Sequence, residues 1–255
     1  MKRFLIVLIA LIYSTAIAAG VAPADPSDDQ ITVLTTDFPP YSFLSDNKLT
    51  GLSTEIVTAV LAKANIQTDE FKIYPWARAF TLAKAGKHIL IYSIARSPQR
   101  ESQFQWVGPL APYQVNLYKL KSRVDIDIND IEQAKHYKVG GEYQDIKQLY
   151  LKAAGFKEDW NIELVRTADL NIRKLFAGRI DLLPVSETNL PYILRAEGFQ
   201  LDDVEKVLEL DEISNPLYMA FSLDVSPEVV ERARLALKEL REGGVIQEIY
   251  DAYMK

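Results

Sequence analysis

Short apolar runs rich in β-branched residues alternate with helix-patterned segments along nearly the whole chain, and this alternation limits the fold more than any single motif. Strands are expected at 31–35, 69–74, 88–94, 115–120, 137–140, 162–166, 180–185, 206–210 and 217–222, where Val, Ile, Thr and Tyr are concentrated. Helices are expected at 51–64, 76–85, 144–154, 169–177, 187–196, 227–242 and 245–253. In the first of these, Leu52, Ile56, Val60 and Ala64 recur every four residues along one face. Gly86, Gly155, Gly178 and Gly198 each stand just past a helix, where a left-handed residue ends it, and Pro227 occupies a first helical turn. Strands alternating with helices predict an α/β protein with largely parallel sheets. The strand count is high for one compact sheet, so two sheets in two lobes are expected. The chain would cross between them near Pro112-Tyr113-Gln114-Val115 and near Ser214-Asn215-Pro216-Leu217. No internal repeat, low-complexity tract or long linker interrupts the pattern.

The N-terminus has a different character. Met1-Lys2-Arg3 is basic, Phe4 to Ala19 is almost continuously apolar, and Ala16-Ile17-Ala18 has the small-x-small form of a signal-peptidase site. Residues 1–18 therefore read as a cleaved signal peptide, with a second candidate cleavage site at Ala22. The apolar run falls short of the ~20 residues that a membrane span needs. Residues 19–27 read as a disordered leader, rich in Pro and Asp near its end. The mature chain is expected in the periplasm. The sequence contains no cysteine, so neither disulfides nor a lipidated cysteine is available, and a mature chain of roughly 235 residues must rest on its own core. The formal charge of −6 becomes more negative once Lys2 and Arg3 leave with the leader. An acidic protein with scattered basic residues does not suit nucleic acid.

Catalytic chemistry has little to work with. His88 and His136 lack acidic or nucleophilic partners nearby in sequence. There is no cysteine nucleophile, no glycine-rich phosphate loop and no His or Cys cluster with metal-ligand spacing, so neither a metal nor a cofactor is expected. Asp125, Asp127 and Asp130 are spaced somewhat like a calcium loop, but Ile126 and Ile128 intervene and no glycine follows. A solvated acidic turn is the better reading. Three other segments point to a ligand. Thr36-Asp37-Phe38-Pro39-Pro40-Tyr41-Ser42-Phe43 follows the first strand, at the carboxyl end where open α/β sheets bind small molecules, and its aromatics either stack on a ligand or fill a lobe's rim. Ser93-Ile94-Ala95-Arg96-Ser97-Pro98-Gln99-Arg100 carries two arginines after a buried strand, which either hold a carboxylate or stay solvated. Gly140-Gly141-Glu142-Tyr143-Gln144-Asp145 leads into a helix N-terminus, whose free amides suit an anion or polar ligand.

In order and wording these segments resemble the extracellular solute-binding proteins of family 3, the periplasmic polar amino-acid receptors of ABC transporters. The resemblance runs from Ile31 to Tyr253. Its marks are Phe38-Pro39-Pro40-Tyr41-Ser42-Phe43, Gly51-Leu52-Ser53-Thr54-Glu55-Ile56, Ser97-Pro98-Gln99-Arg100-Glu101 before Phe104-Gln105-Trp106-Val107-Gly108-Pro109, Leu175-Phe176-Ala177-Gly178-Arg179-Ile180-Asp181, and Leu240-Arg241-Glu242-Gly243-Gly244-Val245-Ile246. Tyr74-Pro75-Trp76-Ala77-Arg78-Ala79 looks like the mark of a subgroup. The resemblance implies that Arg100 binds a ligand carboxylate. Five residues earlier, where the family usually has Ser or Thr, stands Ala95. Five residues after Asp181, where the family has an ammonium-binding Asp, stands Ser186, followed by Glu187.

The expectation is a two-lobed fold of the periplasmic-binding-protein type II class with the ligand cleft between the lobes. Residues 28–113 plus 216–255 would form lobe one, and residues 114–215 lobe two. The expected function is a periplasmic solute-binding protein, not an enzyme and monomeric. It would capture a small polar amino-acid-like or carboxylate molecule for a permease in the inner membrane. Arg100, Tyr41, Phe43, Trp76, Ser93 and Ala95 would bind from lobe one, and Tyr143, Ser186 and Glu187 from lobe two. Two rivals share the fold: a ligand-sensing receptor for a membrane signalling partner, and a cyclic-acid dehydratase using Glu142 or Glu187.

Overall fold

The structure, a computed structural model, describes residues 30–69, 71–158 and 160–254. The expected signal peptide, its cleavage site and the leader lie outside the described residues. Along the chain run β1 (Thr32–Thr35), β2 (Phe43–Ser45), β3 (Lys48–Thr50), α1 (Leu52–Lys63), β4 (Lys72–Ile73), α2 (Trp76–Ala85), β5 (Ile89–Ala95), β6 (Gln105–Ala111), β7 (Val115–Leu120), α3 (Ile131–Ala134), β8 (Val139–Glu142), α4 (Ile146–Ala153), β9 (Ile162–Val165), α5 (Ala168–Phe176), β10 (Leu183–Ser186), α6 (Leu190–Ala196), β11 (Val204–Glu209), β12 (Leu217–Phe221), α7 (Pro227–Glu242) and α8 (Val245–Met254).

Two sheets organise these elements. The first has the order β4-β1-β5-β12-β6. The second joins β10-β7-β11 to the parallel pair β8-β9 through a parallel bridge between Val139 and Leu182, giving β9-β8-β10-β7-β11. Each sheet thus places its second strand outermost, then its first, then its third. The visiting strand comes next, and the fourth closes the far edge. The visitors, β12 in one sheet and β7 in the other, run antiparallel to both neighbours. The sequence has no visible repeat, yet the two lobes repeat one topology.

Burial explains why these segments form a layered α/β structure. Every residue of β5 is buried, as expected of a central strand covered on both faces. Leu52, Ile56, Val60 and Ala64 pack with Val229, Val230, Ala233 and Leu237 of α7 on one face of the first sheet. Trp76, Ala79, Phe80 and Ala83 of α2 cover the other. In the second sheet, Ile172, Leu175 and Leu190 lie on one side and Ala134, Leu151 and Phe156 on the other. Ser226 caps α7 by accepting from the Val229 amide at 3.3 Å, with Pro227 at the first turn.

Several expectations need correcting. Gln105–Ala111 is a strand although Pro109 lies inside it, because β6 is the sheet's edge, the position where a missing amide costs least. Gly86 is extended, with ψ 176°, not left-handed. It is glycine for room, since a Cβ there would meet Ile89 Cδ1 at 2.3 Å and Leu82 O at 2.6 Å. Gly155, Gly178 and Gly198 do have positive φ. The acidic stretch 125–130 is solvated as expected, with Asp125, Asp127 and Asp130 all exposed, but two of the three have partners. Asp125 pairs with Arg123, and Asp130 caps the unforeseen α3 by accepting from the Gln133 amide at 2.8 Å.

The chain crosses between sheets twice, from β6 to β7 and from β11 to β12. The crossings lie side by side: the Val115 amide donates to Ser214 Oγ at 2.9 Å and the Leu210 amide to Val115 O at 2.9 Å. The Tyr41 hydroxyl, fully buried, donates to Pro112 O at 2.9 Å. That contact fastens the Phe-Pro-Pro-Tyr loop to the first crossing. The same loop caps α1, whose Leu52 and Ser53 amides donate to Pro40 O and Tyr41 O at 2.9 and 2.8 Å. Gly51, at φ 118°, lets them meet, since a Cβ there would lie 2.6 Å from Tyr41 O.

Gly51→Ala is therefore expected to destabilise the protein by more than ~1 kcal/mol in urea unfolding, because both the left-handed φ and the close carbonyl oppose a methyl group. A second expectation concerns alkaline pH. The buried Tyr92 hydroxyl bonds Thr54 Oγ1 at 2.8 Å, and burial pushes it up to about 12. An unfolded tyrosine loses its proton near pH 10, so from there upward only the unfolded chain deprotonates and stability falls. Tyr92→Phe should make that decline shallower by about 2 kcal/mol at pH 12. Identical slopes in wild type and variant would refute this.

Candidate functional site

The carboxyl ends of the parallel strands in both sheets face one gap, the place where α/β sheets bind ligands. From the first lobe, β5 enters it with a bulge: Ser93 has φ 58° and no partner on β12, where the register shifts between Tyr218 and Met219. Its hydroxyl is buried without a hydrogen bond. Beyond the strand the loop turns Arg100 inward until it is 1% exposed. Arg100 Nη1 donates to Ala95 O at 2.9 Å and Nη2 to Gln144 O of the second lobe at 2.8 Å. The guanidinium carbon lies 5.3 Å from the Trp76 ring centroid and 4.9 Å from that of Phe80, within cation–π range. Nε has no partner. Burial lowers the guanidinium's pKa, but an arginine stays charged in a protein.

The second lobe answers with the turn between β8 and α4. Gln144 adopts φ 61°, and its carbonyl also accepts from Trp76 Nε1 at 3.0 Å. One carbonyl thus receives two donors from the opposite lobe. Asp145 caps α4, its Oδ1 accepting from the Lys147 amide at 2.9 Å. Lys147 Nζ lies 3.0 Å from Asp145 Oδ1 and 3.3 Å from Glu142 Oε1, and all three side chains are largely buried. Burial alone would push Lys147 down, but Asp145, Tyr113 and Glu142 hold it well above its ordinary value. Burial would push Asp145 up, yet Lys147 and then Arg100 bring it below the usual carboxylate range. Glu142 goes the other way, because burial outweighs the pull of Lys147. Tyr113 of the hinge stands in the same field, and burial pushes its hydroxyl up.

The other expected site residues divide. Tyr41 and Ser186 come together at the hinge end, the tyrosine hydroxyl beside those of Ser186 and Thr188. Ser186 is 1% exposed. Trp76 is part of the Arg100 cluster, and Ala95 contributes its carbonyl. Phe43 is half-buried in the β2–β3 hairpin, and Tyr143 is 45% exposed. Glu187 is exposed and accepts from Asn116 Nδ2 at 3.2 Å. Asn189, which sequence reasoning passed over, donates across the gap to Pro39 O. Gln144 and Asp145 lie in the glycine-led segment that pointed to a ligand but were not named as site residues, and Lys147 was missed. Asp145 offered a signal, an acidic residue at a helix start after two glycines, whereas Gln144 acts through its backbone and offered none.

A cavity of about 480 Å³ opens beside this junction, walled by Asp37, Pro39 and Tyr74 of the first lobe and Glu142, Asp169 and Tyr192 of the second. That size suits a small molecule. Partial burial, and the charge of Asp169 beyond it, push Asp37 above its usual value. Among the described residues no group of three or more His, Cys, Asp or Glu is placed to hold a metal ion.

Comparison with known proteins fits this architecture. The chain is 20% identical over 257 aligned residues to the probable amino-acid-binding protein YxeM of Bacillus subtilis (strain 168), covering 99% of this chain and 95% of that one. In structure it is similar to a histidine kinase sensor domain that itself resembles periplasmic binding proteins (TM-score 0.77, 22% identity, 89% of this chain and 97% of that one). It is also similar to an ancestral arginine-binding protein bound to arginine (TM-score 0.75, 21% identity, 89% and 99%). These likenesses establish the two-lobed fold. Residues 31–255 match a single sequence family, and the chain belongs to it: the bacterial extracellular solute-binding proteins, family 3.

Proposed function

We propose that the protein is a periplasmic receptor that captures a small polar amino-acid-like or carboxylate ligand between its lobes and delivers it to an ABC-transporter permease in the inner membrane. Family membership supports the binding role and a location outside the cytoplasm. The observation that carries the reading is Arg100, a buried guanidinium at the meeting of the lobes with one N–H unpartnered. A carboxylate entering the opened cleft finds there a charged fork backed by two aromatic rings. Rotation about the paired crossings would then bury it, as in other hinge-bending receptors. In this reading residues 28–113 and 216–255 move against residues 114–215, the mature protein acts as a monomer, and the segment ending at residue 18 directs export. The likeness to a histidine kinase sensor domain supports a second reading, in which the closed form is presented to a membrane signalling partner. Stimulation of a reconstituted permease's ATPase by the ligand-loaded protein would favour transport.

A thermal-shift screen of L-amino acids and small carboxylates should find a ligand, since a compound at a hundred times its Kd adds about 2.7 kcal/mol of stability. Arg100→Ala should weaken that ligand on the order of thirtyfold or more by calorimetry while circular dichroism stays unchanged. Equal affinity would remove Arg100 from the site. The protein is also expected to act on nothing it binds. Mass spectrometry after prolonged incubation should recover the ligand intact, and turnover would replace the receptor reading with an enzymatic one.

A further inference from the structure

A second cavity, of about 590 Å³, lies in the second lobe at the end away from the cleft. It opens at the amino ends of β8, β9 and β10, which run parallel to one another, whereas the cleft faces their carboxyl ends. Lys138, Trp160 and Asp181, each just ahead of one of these strands, form its wall with His136, Arg179 and Glu163. The frame behind them is tied together. Lys157 O accepts the amides of Trp160, Asn161 and Ile162 at 3.1, 2.9 and 3.0 Å, which closes the turn that carries Trp160. Buried Asn161 donates to Lys135 O at 2.9 Å and joins that turn to the segment of His136. The Lys138 amide donates to Asp181 Oδ2 at 2.9 Å, and the Asp181 amide returns to Lys138 O at 2.8 Å. Lys138 is thereby held beside the turn of Arg179.

The carboxylates of this wall are already matched. Asp181 pairs with Arg123, and Glu163 with Lys174 at 2.9 Å. Among the described residues no carboxylate lies within ion-pair distance of Lys138 or Arg179. Basic side chains often gather at helix C-termini to meet free carbonyls. Here amides take that role, since Tyr137, Gly178 and Arg179 donate to Ala134 O, Leu175 O and Lys174 O. Two cations, a histidine and an indole that is 68% exposed therefore face one space.

We infer that this cavity is a second ligand site, separate from the cleft, for a small phosphate ester that carries a planar ring, of the nucleoside-monophosphate kind. A phosphate ester presents three acceptor oxygens and close to two negative charges. The Arg179 fork and the Lys138 ammonium match that charge, and the His136 ring adds a third donor. The ligand's ring lies on Trp160, since bases stack on aromatic side chains. The volume is that of a small-molecule site.

Calorimetry on the mature protein tests this with adenosine 5′-monophosphate, phenyl phosphate, adenosine and inorganic phosphate as separate probes. At least one of the two esters should bind about tenfold or more tightly than either adenosine or inorganic phosphate. Trp160→Ala should remove that advantage over inorganic phosphate. Lys138→Gln combined with Arg179→Gln should weaken the ester about tenfold or more. All three side chains are exposed, so the variants should keep the fold, which thermal melts verify. Arg100→Ala, in the cleft, should leave ester binding unchanged. Three results overturn the inference: neither ester binds more tightly than inorganic phosphate, the advantage survives Trp160→Ala, or the double substitution changes ester affinity by less than about threefold. Ester binding that Arg100→Ala abolishes belongs to the cleft and overturns it too. The receptor reading is untouched by each of these results.

Discussion

The carbonyl of Gln144 holds the two halves of the molecule in register. It accepts from Arg100 and from Trp76, both on the opposite lobe, and it points into the cleft because its residue lies in the left-handed region. A buried guanidinium needs acceptors, and among the described residues the first lobe supplies Arg100 with one, Ala95 O. The second must come from across the gap. The burial of Arg100 thus depends on where the lobes sit, and the position of the lobes depends in turn on Arg100.

Charge is arranged along the same line. From the first lobe into the second run Arg100, Asp145, Lys147 and Glu142, alternating in sign, with the hinge residue Tyr113 alongside. Each charge is compensated by its neighbours, which makes so many ionised groups tolerable away from water. The line also reaches the paired crossings, because Lys147 answers to Asp145 and lies in the field of Tyr113. Two further contacts, Tyr41 to Pro112 O and Asn189 to Pro39 O, bind the Phe-Pro-Pro-Tyr loop to the hinge and to the second lobe.

Most of the architecture was legible in the residues. The four-residue spacing of Leu52, Ile56, Val60 and Ala64 reports a buried face because a helix in a layered protein has one. The glycines at 155, 178 and 198 report helix ends because few other residues enter positive φ cheaply. What escaped depends on partners distant in sequence. Pro109 looks like a break until β6 is known to be an edge. Gly86 looks like a left-handed cap until Ile89 is seen to fill the space beside it. Arg100, Trp76, Tyr41 and Ser186 lie at the junction, Glu187 is exposed, and Asp145 caps α4 at the end of the glycine-led segment. A side chain's direction is set by the turn that carries it, and here that turn hangs on a backbone carbonyl.

The edge strand carries a consequence of its own. An unpaired strand edge on an exported protein invites another chain to add to it, and the outcome is aggregation. In β6, Pro109 removes one amide from the edge. The helix above supplies further protection: Arg234 donates twice to Trp106 O, at 3.0 and 2.8 Å, and Arg241 donates to Pro109 O at 2.6 Å. Two arginines of α7 thus occupy carbonyls that an incoming strand would otherwise find free. The side of the sheet most open to strand addition is closed by a ring without an N–H and two guanidinium groups.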